Sequence, residues 1–136
     1  MTGVQTCALP ILIRATQKIW NSQIAAIGLL YAKRQGDAVL RRYNDITFER
    51  FWKRELDIED PAVVTAVLAE AGADTAGFAA YRDGAGRAEL VRACREAEEK
   101  GVFGVPSFIV EGELFWGREH LPDIRDMLAA PALEKA

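Results

Sequence analysis

The sequence is poor in the residues that build metal centres and disulfide frameworks. Its 136 residues include one histidine, two cysteines (Cys7 and Cys94) and no C-x-x-C pair. A structural zinc site needs four Cys or His ligands at short spacing, and a small secreted scaffold needs several cysteine pairs. The sequence therefore predicts neither a metal site nor a disulfide-rich secreted domain.

Long apolar runs and an excess of positive charge are also missing. No run approaches the roughly 18 residues that a membrane helix needs, and the longest candidate, residues 24–30, is one face of an amphipathic helix. The net charge of -3 gives no reason to expect nucleic acid or an anionic membrane as a partner. With 50% hydrophobic and 27% charged residues, the composition is that of a globular domain.

The first eleven residues, MTGVQTCALPI, do not fit the rest of the chain. They show no helical or strand periodicity, and they lack the basic start of a signal peptide. The segment resembles a translated sequencing-adapter read-through. We therefore predict that residues 1–11 are a non-native leader and that Cys7 is not a catalytic thiol.

Residues 12–100 have the pattern of a helical domain. Apolar residues spaced by three and four predict a first helix over residues 14–35, which Gly36 ends, with Asp37 expected to cap the next helix. Asp60 and Pro61 signal the start of another helix, because proline at the first helical position loses no hydrogen bond. Four aromatic residues of the chain are expected in the core: Trp20, Phe51, Trp52 and Trp116.

Two further helices are predicted before the pattern changes. They cover residues 74–82 and 87–100 and are separated by the glycine-rich break at residues 83–86. Leu90, Cys94 and Ala97 share one face of the second helix, so Cys94 is expected to be a small buried residue and not a reactive thiol.

Residues 101–130 contain the one convincing strand pair. Residues 107–110 and 113–116 are β-branched and aromatic, and Glu111-Gly112 stands where a two-residue turn would lie. A last helix over 118–129 is expected to pack through Leu121, Ile124 and Leu128, with residues 131–136 as a tail. The first strand is apolar on both faces, which is typical of the middle of a larger sheet. We therefore expect further strands upstream of the given sequence.

The helix ending in Gly101, followed by GVPSF, the hairpin, FWG and a closing helix, resembles the C-terminal half of a thioredoxin-like domain. The helical block before it resembles the insertion of the DsbA-like branch. With RRYNDITFERFWKRELDIEDPAVV, it is most similar to the 2-hydroxychromene-2-carboxylate isomerases, relatives of the kappa-class glutathione transferases. The resemblance covers residues 14–129. It implies an α/β fold made of the C-terminal part of a thioredoxin-like domain and a helical insertion, with the N-terminal βαβ half missing.

The resemblance also implies a binding site. Pro106 corresponds to the family's cis-proline, which leaves the Val105 backbone free to pair with an extended peptide such as glutathione. Arg118 and Glu119 align with the segment that holds the γ-glutamyl end of glutathione, where an acid meets its ammonium group. His120 is expected to be a surface residue. No catalytic residue is assigned, because the turn that carries the family's nucleophile is absent.

Three functions remain open. The first is a glutathione-dependent isomerase with a small aromatic substrate, and the second is a DsbA-like thiol–disulfide oxidoreductase acting on a peptide thiol. The third is a non-catalytic helical binding module. A serine at the missing turn would favour the first and a cysteine pair the second. We expect this chain to be inactive alone. The lack of a disulfide framework favours a cytoplasmic protein, with the periplasm left open, and the resemblance allows for a homodimer.

Overall fold

The computed structural model describes residues 18–129, so the predicted leader (1–11) and tail (131–136) lie outside the described residues. The chain divides into two compact units, Met1–Val91 and Arg92–Ala136. The division falls within a helix and before the boundary predicted at residue 100. We call the first the helical unit and the second the hairpin unit.

The described chain is mostly helical. Five helices come first: α1 (Gln23–Arg34), α2 (Asp37–Lys53), α3 (Pro61–Glu70), α4 (Phe78–Asp83) and α5 (Ala85–Glu99), the last of which spans the division. A hairpin of β1 (Ser107–Val110) and β2 (Glu113–Trp116) follows, then a 3₁₀ turn (Arg118–His120) and α6 (Leu121–Ala129). The predicted fold class, an α/β chain dominated by helices with one strand pair, is confirmed.

Hydrogen bonds of side chains decide where the first helices begin. Helix α1 starts at Gln23, and residues 18–22, which the prediction included in the helix, are not helical, because the Asn21 side-chain oxygen accepts the Gln23 N–H at 3.0 Å and the Asn21 N–H donates to Glu59 at 2.7 Å. These bonds hold residues before Gln23 in a turn. The start predicted at Asp60-Pro61 is confirmed, since Asp60 Oδ1 accepts the Ala62 N–H at 2.7 Å.

Two sequence predictions about helix boundaries are wrong. Asp37 does not cap α2: it is the first helical residue and makes no side-chain cap, whereas Gly36, at a φ of 118°, follows the end of α1 as predicted. The break at residues 83–86 is shorter than expected, because α5 already begins at Ala85. Gly86 lies inside α5, where a Cβ would stand 2.7 Å from Ile27 and 2.8 Å from Tyr81. That glycine allows close packing and does not break the helix.

The core of the helical unit lies where α1 to α4 meet. Its most deeply buried side chains are Ile27, Tyr43, Val64, Leu68 and Phe78. The Tyr43 hydroxyl donates to the Ala25 carbonyl oxygen at 2.9 Å, so this buried polar group is satisfied. The prediction that four aromatic residues lie in the core is wrong for two of them, because Trp52 is 40% exposed and Trp116 is 50% exposed. Trp20 and Phe51 pack at the edge of the core.

The hairpin unit has the predicted strands and turn. β1 and β2 are antiparallel, with Ser107 opposite Trp116 and Val110 opposite Glu113. Glu111 and Gly112 have positive φ angles of 51° and 86°, which a two-residue turn between twisted strands requires. Glycine is favoured at position 112, because it has no Cβ to oppose a φ of 86°.

Several side chains of the hairpin unit are more exposed than the helical pattern predicts. In α6, Ile124 is buried, but Leu121 and Leu128 are 48% and 71% exposed. Cys94 on α5 is an exposed free thiol, so its predicted burial is wrong. Among residues 92–99 of α5, only Ala97 is partly buried. This half of the helix therefore packs against little else, and Cys94 stays exposed. Among the described residues, no helix is both long and apolar enough to cross a membrane.

Candidate functional site at the base of the hairpin

The four residues implied as a binding site meet at the open end of the hairpin. The last strand pair is Ser107 opposite Trp116, and beyond it the Pro106 carbonyl oxygen accepts the Gly117 N–H at 2.9 Å. Val105 and Pro106 therefore enter β1 at the same end at which Arg118 and Glu119 leave β2. We call Val105, Pro106, Gly117, Arg118 and Glu119 the hairpin base.

The Val105–Pro106 peptide bond is cis, as the resemblance implies. The Val105 residue is 87% exposed. Within residues 18–129, its backbone N–H and C=O make no hydrogen bond to other parts of the chain. This peptide group is therefore open to pairing with an extended ligand through the same bonds that join strands in a sheet.

Contacts with Gly104 hold the segment before β1. Ser107 Oγ donates to the Gly104 carbonyl oxygen at 2.6 Å. A Cβ on Gly104 would lie 2.7 Å from the Trp116 indole nitrogen, and the Phe103 ring packs on Trp116 with centroids 5.2 Å apart. Sequence reasoning missed these supporting roles. The sequence signal that could have revealed them is Gly104, just before Val-Pro-Ser, because only a residue without a Cβ allows Trp116 to lie so close.

The other half of the hairpin base carries two free charges. Gly117 has a φ of 105°, and the Glu119 carboxylate folds back against it so closely that a Cβ on Gly117 would collide with it. Arg118 and Glu119 are exposed, and in the described part of the chain neither pairs with another charged side chain. Both charges are thus available to a ligand that carries an ammonium group and a carboxylate.

His120 does not belong to this pair of charges. Its Nδ1 lies 3.5 Å from an Asp123 carboxylate oxygen, and its ring packs on Phe115 with centroids 5.7 Å apart. These contacts hold the imidazole at the start of α6. Between Lys18 and Ala129, no group of three or more His, Cys, Asp or Glu side chains is arranged to hold a metal ion.

Comparison with known proteins agrees with the geometry. The sequence profile of the DSBA-like thioredoxin domain matches residues 3–129. The chain is also 28% identical, over 100 residues, to a 2-hydroxychromene-2-carboxylate isomerase from Sphingobium xenophagum. That alignment covers 73% of this chain and 50% of the isomerase, so the chain spans half of that relative's length. Because the profile matches the whole described region, this chain belongs to the DSBA-like thioredoxin domain family.

Proposed function

We propose that the protein acts in a glutathione-dependent cis/trans isomerisation of a small aromatic ring-cleavage product, with glutathione bound at the hairpin base. The observation that carries the proposal is the meeting of an unpaired peptide group at Val105 with free charges at Arg118 and Glu119. The similarity to a 2-hydroxychromene-2-carboxylate isomerase supports the reaction type.

Glutathione matches the groups of the hairpin base one by one. Its backbone is extended and offers an N–H and a C=O to the Val105 peptide group. Its γ-glutamyl ammonium is the partner for the Glu119 carboxylate, and a glutathione carboxylate is the partner for the Arg118 guanidinium. Bound in this way, the tripeptide places its cysteine beside the cis-proline segment.

In the proposed reaction the glutathione thiolate is the nucleophile. It adds to one carbon of a conjugated double bond, and the electron pair moves onto the neighbouring carbonyl. Rotation about the resulting single bond follows, and the thiolate leaves as the double bond forms again. No atom is gained or lost, and the hairpin base contributes by orienting the thiol.

A binding experiment on the full chain tests the assignment. S-methylglutathione, which cannot exchange its thiol, is titrated into ¹⁵N-labelled protein while backbone amide signals are followed. We expect Val105, Gly117 and Glu119 to shift together and to saturate. Glu119→Gln should weaken binding roughly fivefold, as expected for an exposed charge pair worth about 1 kcal/mol.

The matched control is Glu113→Gln, at an exposed acid at the far end of β2. It should leave the affinity unchanged. If the hairpin-base signals do not move, or if Glu113→Gln weakens binding as much as Glu119→Gln, glutathione is not held at this site and the proposal is wrong.

Thiol–disulfide exchange is the second candidate, because the unpaired Val105 peptide group would serve a polypeptide substrate equally well. It predicts that an extended cysteine-containing peptide shifts the Val105 signal and that Glu119→Gln has no effect. The two cysteines of the chain are far apart in sequence, so exchange through a C-x-x-C pair is not expected from this chain alone.

A further inference from the structure

The helical unit contains an apolar cleft that the proposed function does not use. Its volume is about 330 Å³, and all its lining residues lie between Trp20 and Ile58. The walls are formed mainly by Trp20, Ala26, Leu29, Phe48, Phe51 and Trp52. The volume is in the range of small-molecule sites, which start at roughly 300 Å³.

The aromatic rings of the cleft are arranged to receive another ring. Trp20 and Phe51 meet edge to face, with centroids 5.5 Å apart and an angle of 78°, and Phe51 meets Trp52 at 5.2 Å and 74°. Aromatic rings prefer this geometry, so a flat guest can add a further edge-to-face contact. Phe48, which is 59% exposed, lies in the outer part of the wall.

The lining exposes almost no polar surface to the cleft. The Tyr43 hydroxyl donates to the Ala25 carbonyl oxygen at 2.9 Å. The Trp20 indole nitrogen and the Thr47 hydroxyl oxygen are buried and have no hydrogen-bond partner among the described residues, but they add almost no polar surface to the wall. An occupant therefore meets an almost wholly apolar wall.

No charged side chain lines the cleft. Two cationic side chains lie over rings of the wall. Lys18 Nζ is 4.1 Å from the Trp20 ring centroid and is paired with Glu59 at 2.5 Å, and the Arg54 guanidinium is 5.7 Å from the Phe51 centroid. A negatively charged occupant would lose its hydration in the cleft without gaining a partner there, which is costly.

We propose that this cleft binds a neutral, flat aromatic molecule of about two fused rings, without the help of glutathione. An apolar cavity of about 150 Å³ is enough for benzene, so about twice that volume suits a bicyclic ring system. The site goes beyond the proposed function, because it lies in the helical unit and its chemistry is apolar.

Tryptophan signals of the full chain test the site. The protein has three tryptophans, two in the cleft and Trp116 in the hairpin unit, and each gives one indole N–H signal in a ¹⁵N spectrum. On titration with naphthalene we expect the Trp20 and Trp52 signals to shift and saturate while Trp116 stays in place. 2-Naphthoate, which adds one negative charge to the same rings, should bind at least about tenfold more weakly.

Matched variants locate the binding. Ala26→Phe fills the cleft and should abolish the shifts, whereas Ala66→Phe, at an exposed position in the middle of α3, should not change them. If Ala26→Phe fails to fold, Phe48→Ala provides a second test. It removes one aromatic side chain from the outer wall of the cleft and should weaken binding at least about threefold. Its control is Phe103→Ala, at a 72% exposed position of the hairpin unit.

Three results would overturn the proposal: no saturable shift of Trp20 and Trp52, equal affinity for naphthalene and 2-naphthoate, or unchanged binding by folded Ala26→Phe. The proposal also fails if the two signals move with protein concentration and not with naphthalene. In that case a second copy of the chain occupies the cleft.

Discussion

Gly28 lies where α1 closely approaches both α2 and α3. It is buried in α1, and a Cβ built on it would lie 2.9 Å from the Tyr43 ring carbon that bears the hydroxyl and 2.9 Å from Val64 Cγ1. It would come closer still to the Tyr43 hydroxyl oxygen. Real Cβ atoms do not approach other atoms at such distances, so Gly28→Ala must displace buried side chains of α2 and α3.

The expected cost of Gly28→Ala combines three effects. Alanine is favoured over glycine inside a helix by about 1 kcal/mol. Overpacking a tight core costs about 1–3 kcal/mol, and displacing the Tyr43 hydroxyl from the Ala25 carbonyl costs about 1–3 kcal/mol more. We therefore expect the free energy of unfolding to fall by about 3 kcal/mol, although the substitution improves helix propensity.

Urea unfolding followed by far-UV circular dichroism measures this change. Ala66→Gly, at an exposed helical position, measures the helix-propensity difference between alanine and glycine in this chain. It should lower the free energy of unfolding by about 1 kcal/mol. In a double-mutant cycle, Tyr43→Phe removes the closest atom, so Gly28→Ala should cost less in that background. If Gly28→Ala stabilises the protein, or if its cost is the same with phenylalanine at position 43, the packing argument is refuted.

Three further predictions concern other parts of the chain. Asp60→Ala removes the cap of α3 and should lower the free energy of unfolding by about 1 kcal/mol in urea, while Asp60→Asn, which keeps an acceptor, should change it little. Burial raises the pKa of Tyr43 to about 12, so the unfolded chain loses this proton first, and stability is lost as the pH rises from about 10 to about 12. Between neutral pH and pH 11, the free energy of unfolding of the wild type should fall by about 1 kcal/mol more than that of Tyr43→Phe in the same assay. Equal losses would show that the Tyr43 hydroxyl is not the cause. Cys94 is exposed, so a thiol reagent should modify it in the native protein at nearly the rate seen in denaturant, as measured by peptide mass. A much slower reaction in the native protein would contradict its exposed position.

Local chemistry made much of the fold predictable. The hairpin was predicted at its observed bounds, because Glu111-Gly112 is a turn sequence and the β-branched and aromatic residues on either side prefer strands. Asp60-Pro61 was predicted as a helix start for an equally local reason, a side-chain acceptor followed by a residue without an N–H. The residues of the hairpin base came from the resemblance, and the cis bond at Val105–Pro106 agrees with it.

The errors came from contacts between residues far apart in sequence. The start of α1 depends on the bond between Asn21 and Glu59, and Gly86 lies inside a helix where it packs closely against Ile27. The exposure of Cys94 depends on the residues beside α5, which a helical pattern does not contain. None of these partners is a sequence neighbour, so periodicity alone could not place them.

The sequence by itself determined the strands, their turn and most of the helical order, since these depend on backbone preferences within a few residues. Only the tertiary structure decided which side chains meet. It joined Pro106 to Gly117, so that Val105 and Glu119 share one end of the hairpin. It also brought Trp20, which precedes α1, and the aromatic residues of α2 around one cleft, because that cleft forms only when the segment before α1 packs beside α2.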